Sequence, residues 1–158
     1  KRPLTVREIG SAKKVVEPRD VIISRLRPYL RQVAFVDGRT CHRTDDLLML
    51  CSTEFFVLRP ADDRSIAFLV PFLLSDPVQK VLAASQEGGH HPRFNESTLL
   101  GLPVPATLFD KREEVSRVVE QSIELFRESE RKMMDMIGAA EASIGVNPPP
   151  LEEPSPRF

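Results

Sequence analysis

Residues 18–30 read Pro18-Arg19-Asp20-Val21-Ile22-Ile23-Ser24-Arg25-Leu26-Arg27-Pro28-Tyr29-Leu30. Asp20 to Ser24 is a short β-branched run, set off by a proline before it and by arginines after it. Such a run reads as a buried strand. Outward from it, Gln32 to Val36 reads as a second strand, and Asp37-Gly38 is a strong turn signal behind it. Residues 39–46 form a polar loop. Leu47 to Cys51 and Phe55 to Leu58 are two further strand candidates, separated by Ser52-Thr53-Glu54, which is too polar for a core centre. Arg59-Pro60 ends the strand region.

Beyond it the pattern turns helical. Ser65 to Leu74 reads as a helix capped by Ser65 or Asp63, with Pro71 expected to kink or break it. A second helix is expected from Asp76 to Gln86, with Asp76 as N-cap, Pro77 at the first helical position and Gly88-Gly89 as the stop. His90 to Phe94 is extended, because Pro92 pushes His91 out of the helical region. Leu102-Pro103-Val104-Pro105 is a rigid extended stretch.

Asp110-Lys111-Arg112-Glu113 matches a capping box, with Asp110 as N-cap. Helical pattern then runs to Ile144, ahead of Gly145, a length of roughly 50 Å. Two heptad ladders pass through it. One is Val119, Phe126, Met133 and Ala140; the other is Ile123, Glu130, Ile137 and Ile144. Together they form an apolar seam with Glu130 as the polar member of its ladder. A stripe this long calls for a partner helix; the alternative is a helix folded onto its own core. The twelve residues from Asn147 to Phe158 hold five prolines and read as a disordered tail or linker. The expected fold is α/β in the α+β sense: a small mixed or antiparallel β-sheet with flanking short helices, followed by a long C-terminal coiled-coil helix.

The chain has 158 residues, 41% of them apolar and 28% charged. That is room for one domain with an appended element, and it excludes collagen, mucin and wholly disordered chains. The longest apolar run, Ile66 to Leu74, is far short of the roughly 20 residues that span a bilayer, so no membrane partner is expected. No apolar signal core follows Lys1-Arg2-Pro3-Leu4, and no secretory leader is expected. Without an initiator Met, the chain reads as a piece of something longer or as a processed or tagged one. Cys41 and Cys51 do not make a disulfide framework, and a reduced cytoplasmic setting is the default. Cysteine and histidine spacings are wrong for zinc, so no metal is expected.

The net charge of -1 hides an uneven distribution. Residues 1–60 carry a net of +5, residues 61–109 a net of -2 and residues 110–158 a net of -4. An arginine-rich part on a near-neutral chain can still track phosphates, since the local patch sets the field at contact distance. Uneven solvated charge is the other reading.

Several catalytic patterns fail. Asn147-Pro148-Pro149-Pro150 superficially resembles the Asn-Pro-Pro-aromatic motif of adenine amino-methyltransferases, but the aromatic is missing and no Gly-rich cofactor loop lies upstream. Asp45, Asp46 and Glu54 are nuclease candidates by residue type only. Ser24 and Ser52 have no Gly-x-Ser-x-Gly context, and no nucleophile is placed beside His90 or His91.

A series of phrases in order carries more. They are the run from Pro18 to Leu30; Cys51-Ser52-Thr53-Glu54-Phe55-Phe56-Val57-Leu58-Arg59-Pro60; Phe72-Leu73-Leu74-Ser75-Asp76 with Val78-Gln79-Lys80; Gly88-Gly89-His90-His91-Pro92-Arg93-Phe94; and Leu102-Pro103-Val104-Pro105 leading into the long helix. Over residues 18–144 this order resembles the target recognition domain of type I restriction–modification DNA specificity subunits, followed by one of their conserved helices. The family usually has Gly where Arg19 stands. Its Gly-Thr/Ser-x-Gln-Pro-Arg phrase has His90 and His91 here. The chain is also shorter than a full subunit, which has two domains and two helices.

The resemblance implies a DNA target recognition domain over residues 1–106, only its later part by comparison with the family, then a dimerisation and spacer helix over 110–144 and a Pro-rich disordered tail over 145–158. It implies a non-catalytic module that reads one half of a split double-stranded DNA target. Its partners would be a second recognition domain or a second copy through the long helix, a methyltransferase subunit and a motor–nuclease restriction subunit. S-adenosylmethionine would belong to the methyltransferase subunit, with no cofactor on this chain. Arg25, Arg27, Tyr29 and Arg31 follow a strand, where guanidiniums meet phosphates or, bidentately, guanine. Because they lie in the shared phrase, they read as phosphate-positioning groups or scaffold ion pairs, with Glu54 as an internal partner. Specificity would come from Arg39, His42 and Arg43 in the polar loop, with His90, His91 and Arg93 as second candidates. Val119, Ile123, Phe126, Glu130, Met133, Ile137, Ala140 and Ile144 would pair the helices. Two other readings stay open: the same module at the C-terminal end of a fused methyltransferase–nuclease, and an assembly scaffold that does not bind DNA.

Overall fold

The computed structural model describes residues 11–38 and 48–145. Among these residues five strands come first: β1 (Lys13–Val16), β2 (Val21–Ser24), β3 (Val33–Phe35), β4 (Met49–Ser52) and β5 (Phe55–Leu58). A 3-10 turn, Pro28–Leu30, lies between β2 and β3. Helices α1 (Leu69–Leu74), α2 (Asp76–Ala84), α3 (Glu96–Leu100), α4 (Ala106–Asp110) and α5 (Arg112–Ser143) follow. The class is α+β with a long C-terminal helix, as the sequence predicts.

All strand pairing among the described residues is antiparallel. β2 is the middle strand of a three-stranded sheet ordered β3-β2-β5, with Ile22 opposite both Ala34 and Val57. Each of its residues is buried, which is what a β-branched run without alternation requires. Successive side chains take opposite faces. Val21 and Ile23 join Phe56, Leu73, Val78, Leu82, Phe94, Leu99 and Leu102 in the main core. Ile22 joins Val16 and Val36 in a second core, with Met49, Cys51, Phe55 and Val57 beside it. Helices thus cover one face of the sheet. The β1–β4 ribbon, with Val15 opposite Leu50, covers the other.

The start of β2 is tied down by charge. The Asp20 carboxylate is fully buried and accepts the Glu17 N–H at 2.7 Å, Arg59 Nε at 3.0 Å and Arg59 Nη2 at 2.8 Å. Arg59 also reaches Glu17 Oε1 at 2.8 Å. The Arg-Pro that ends β5 is therefore the counter-ion for the Asp that opens β2.

Local expectations shift in specific ways. β1 has no counterpart in the sequence reading, because half of Lys13–Val16 is charged and its pairing with β4 is non-local. The strand expected at Leu47 starts at Met49. Pro71 does not break a helix begun at Ser65. It is the third residue of α1, where a missing N–H costs nothing, and Ala67 and Phe68 form a turn before it, closed by the Leu69 N–H on the Ile66 carbonyl. Ser75, not Asp76, precedes α2, and that helix ends at Ala84 rather than Gln86. Asp110 is not an N-cap. It closes α4, and α5 starts afresh at Arg112 with Glu113 and Glu114 in its first turn, favourable to the helix dipole. Ile144 falls one residue beyond α5, so it is not part of a helical seam. Gly145 follows in a left-handed turn at φ 75°.

Residue contacts divide the chain into a unit running to Val119 and one beginning at Glu120. In the first, the start of α5 is fixed to the sheet domain by Ser116, a buried residue. Its hydroxyl accepts the Phe68 N–H at 3.0 Å and donates to the Ser65 carbonyl at 3.3 Å. Phe109 packs edge-on against Phe68 and carries the Arg112 guanidinium over its ring. In the second, Glu128 and Lys132 form an i,i+4 ion pair at 2.7 Å. Val119 and Ile123 are half-buried, whereas Glu130, Met133, Ile137 and Ala140 are exposed and Phe126 is 64% exposed.

Among the described residues no helix is long and apolar enough to cross a membrane, and no group of three or more His, Cys, Asp or Glu is placed to hold a metal ion. Cys51 is a half-buried free thiol whose pKa is pushed up by burial. Cys41 and the tail over 146–158 lie outside the described residues.

Candidate nucleic-acid interface

Backbone pairing brings three distant phrases to one end of the central sheet. Leu26 and Arg93 form an antiparallel bridge, and so do Glu87 and Arg93. The Arg27 N–H donates to the Pro92 carbonyl at 2.9 Å, and the Phe94 N–H to the Arg25 carbonyl at 3.2 Å. The Arg25 N–H donates to the Glu54 carbonyl at 2.8 Å. Segments 25–31, 52–55 and 87–94 therefore meet where β2 leaves the core and β5 enters it. Phe94, fully buried, anchors the third segment from below and packs 5.6 Å from Phe56 between ring centroids. Gly88 supplies the tight turn that returns the chain from Glu87 to Arg93; its φ of +92° is one that a side chain would strain.

The arginines of the sheet domain differ in how their charge is spent. Arg59 is bound to Asp20 and Glu17, Arg31 to Asp76 at 2.8 Å, and Arg64 to Asp62 at 2.5 Å. Arg64 holds the Asp62 carboxyl down to about 2. Arg19 donates to the Asp63 carbonyl. Arg93 grips Glu54 with three hydrogen bonds of 2.5 to 3.1 Å and also reaches the His91 carbonyl. That pairing holds the Glu54 carboxyl below the usual range, against the opposing pull of burial. The internal partner of Glu54 is therefore Arg93, rather than Arg25 or Arg27.

Arg25 and Arg27 stand apart. Among the described residues neither guanidinium has a carboxylate or carbonyl acceptor. Arg25 lies 5.4 Å over the Phe56 ring, and its buried Nε has no hydrogen-bond partner. Stacking of this kind orients a guanidinium without neutralising it. Lys14, which the sequence reading passed over, lies 5.3 Å from the same ring and donates to the Phe55 carbonyl. Its one signal in the sequence was a lysine beside Val15-Val16.

Backbone geometry singles out the same loop. Arg19, Arg27 and Arg31 have φ of 76°, 51° and 49°, left-handed values uncommon outside glycine, Asn and Asp. Arg27 and Arg31 bracket the 3-10 turn, whose Pro28 is buried while Tyr29 is 61% exposed. The structure accordingly brings Arg25, Arg27, Arg93, His91 and His90 into one neighbourhood, with both histidines exposed. Arg31 joins the same loop but is turned to Asp76. Arg39, His42 and Arg43 lie outside the described residues.

No protein-family model and no curated protein matches this chain.

Proposed function

We propose that this chain is a sequence-specific double-stranded DNA recognition module of a restriction–modification system, similar in role to the recognition domain of a type I specificity subunit. One observation carries the reading. Among the described residues, Arg25 and Arg27 have guanidiniums with no hydrogen-bonded acceptor, at a loop cluster where the neighbouring arginines are bound internally. A phosphate supplies the missing acceptors with charge-assisted geometry, and such contacts set register on the duplex rather than sequence. Base edges would then be met by the exposed His90 and His91, and by Arg39, His42 and Arg43.

In this reading the chain is not an enzyme and works in the cytoplasm. The exposed apolar positions of α5, with Phe126 and Met133 at their centre, pair it with a second module. A methyltransferase subunit supplies S-adenosylmethionine chemistry, and a motor–nuclease subunit joins for cleavage. Fluorescence anisotropy on a labelled duplex tests the claim. Two phosphate contacts give a log–log salt slope of about -1.8, or roughly a twelvefold loss of affinity between 50 and 200 mM salt. Arg25→Gln with Arg27→Gln should remove that slope. Duplex affinity that ignores salt refutes it. The same unpaired helix face favours a second reading, an assembly scaffold without DNA binding, for which partner association survives and duplex binding is absent at every salt concentration. The third, a recognition domain ending a fused methyltransferase–nuclease, keeps the same duplex readout.

A further inference from the structure

The geometry points to Glu54 as an internal stand-in for a DNA phosphate: by occupying Arg93 it limits the number of backbone contacts, and so sets the selectivity of the interface. The inference rests on the DNA-binding reading above and assigns a role within it that no cation could have. Glu54 sits in the turn between β4 and β5, at the junction of the three convergent segments. Its two oxygens take Arg93 Nε and Nη2 side-on, the fork geometry that a phosphate would take. Arg25 and His91 also act on its charge. Neither partner is sealed away: the Arg93 side chain is 37% exposed and that of Glu54 is 31% exposed.

Two consequences follow from charge alone. With Glu54 in place, Arg93 is scaffold. It braces the Glu87–Arg93 bridge and the exposed His90-His91 tip, leaving discrimination to groups that meet base edges. With the carboxylate removed, Arg93 becomes an additional phosphate ligand. Because backbone contacts are blind to sequence, affinity then rises for every duplex while the ratio between preferred and arbitrary sequences falls.

The test uses the full chain, a randomised duplex and a duplex enriched from it by selection. Glu54→Gln should bind the randomised duplex more tightly, with a salt slope steeper by about one contact, so that its advantage shrinks roughly threefold between 50 and 200 mM salt. Its preference for the selected duplex should fall. Arg93→Gln should bind both duplexes more weakly, since Glu54 is then an unpaired anion beside Arg25. The double variant should return to the wild-type slope. An unchanged or shallower slope for folded Glu54→Gln overturns the inference. So does a double variant one contact below wild type, which would mean that Arg93 already touches DNA. Circular dichroism of each variant separates these outcomes from loss of fold; a double variant that folds and keeps the wild-type slope supports the claim even where Glu54→Gln is unstable. Wild-type protein that shows no salt-dependent duplex binding refutes the underlying reading and, with it, this inference.

Discussion

Breaking the Asp20–Arg59 pair should be costly in an asymmetric way. Asp20 is fully buried, and its carboxylate takes three hydrogen bonds, two of them from Arg59. Replacing Arg59 with Met leaves that carboxylate with the Glu17 N–H as its remaining donor. An uncompensated buried charge of this kind costs about 3–5 kcal/mol. Replacing Asp20 with Asn removes the buried charge itself. Arg59 stays 43% exposed on its side chain and keeps Glu17, so the loss is one or two charge-assisted bonds, about 2 kcal/mol. The double variant removes both charges together and should cost about 2–3 kcal/mol, well short of the sum. Urea unfolding of the four proteins, fitted for midpoint and slope, completes the cycle. A folded domain holds roughly 5–15 kcal/mol, so Arg59→Met should shift the midpoint by a large fraction of the whole transition. Costs that add, or an Arg59→Met variant within about 1 kcal/mol of wild type, would refute the account of Asp20 as the ionic anchor of β2.

The left-handed backbone at Arg19 predicts that Arg19→Gly is more stable than Arg19→Ala by about 1 kcal/mol, because both lose the bond to Asp63 and glycine alone relieves the strain; thermal unfolding of the two variants checks it. Replacing the exposed Phe126 with Asp should leave the sheet domain folded and abolish self-association or partner association, and an unchanged sedimentation profile would sink the pairing role. Glu54 predicts a pH signature. Its folded pKa lies below the ordinary 4.5, so its contribution is complete above that value and is lost as pH falls through the lower, folded one. The stability gap between wild type and Glu54→Gln should therefore be constant near neutrality and narrow in acid; a gap that does not narrow as pH falls would show that the carboxylate's charge is not what Arg93 responds to.

Strand β2 was legible because its signal is local: four buried residues in a row, bounded by Pro18 and Arg25. The long helix was legible for the same reason, since a heptad pattern repeats what each turn must satisfy. The ends of elements were less so. Asp110 has the right residue type for a cap and the right spacing to Glu113, yet Pro105 had already started α4, and Asp110 is used to finish it. The short helix α3 carries Leu99 into the core within five residues, too few for a periodic signal. Arg19 takes a left-handed φ of 76°, a backbone shape that an arginine at that position does not announce.

Residue type and order along the chain determined which arginines exist, that they cluster before residue 60, and that a long amphipathic helix follows. They could not say which guanidiniums are spent. Arg93 and Glu54 lie 39 positions apart, and so do Arg59 and Asp20; each pair is made only when β5 lies beside β2 and the 87–94 segment closes against Leu26. Charge is local in sequence, but neutralisation depends on distance in space, and distances between remote residues are set by the packing of the core.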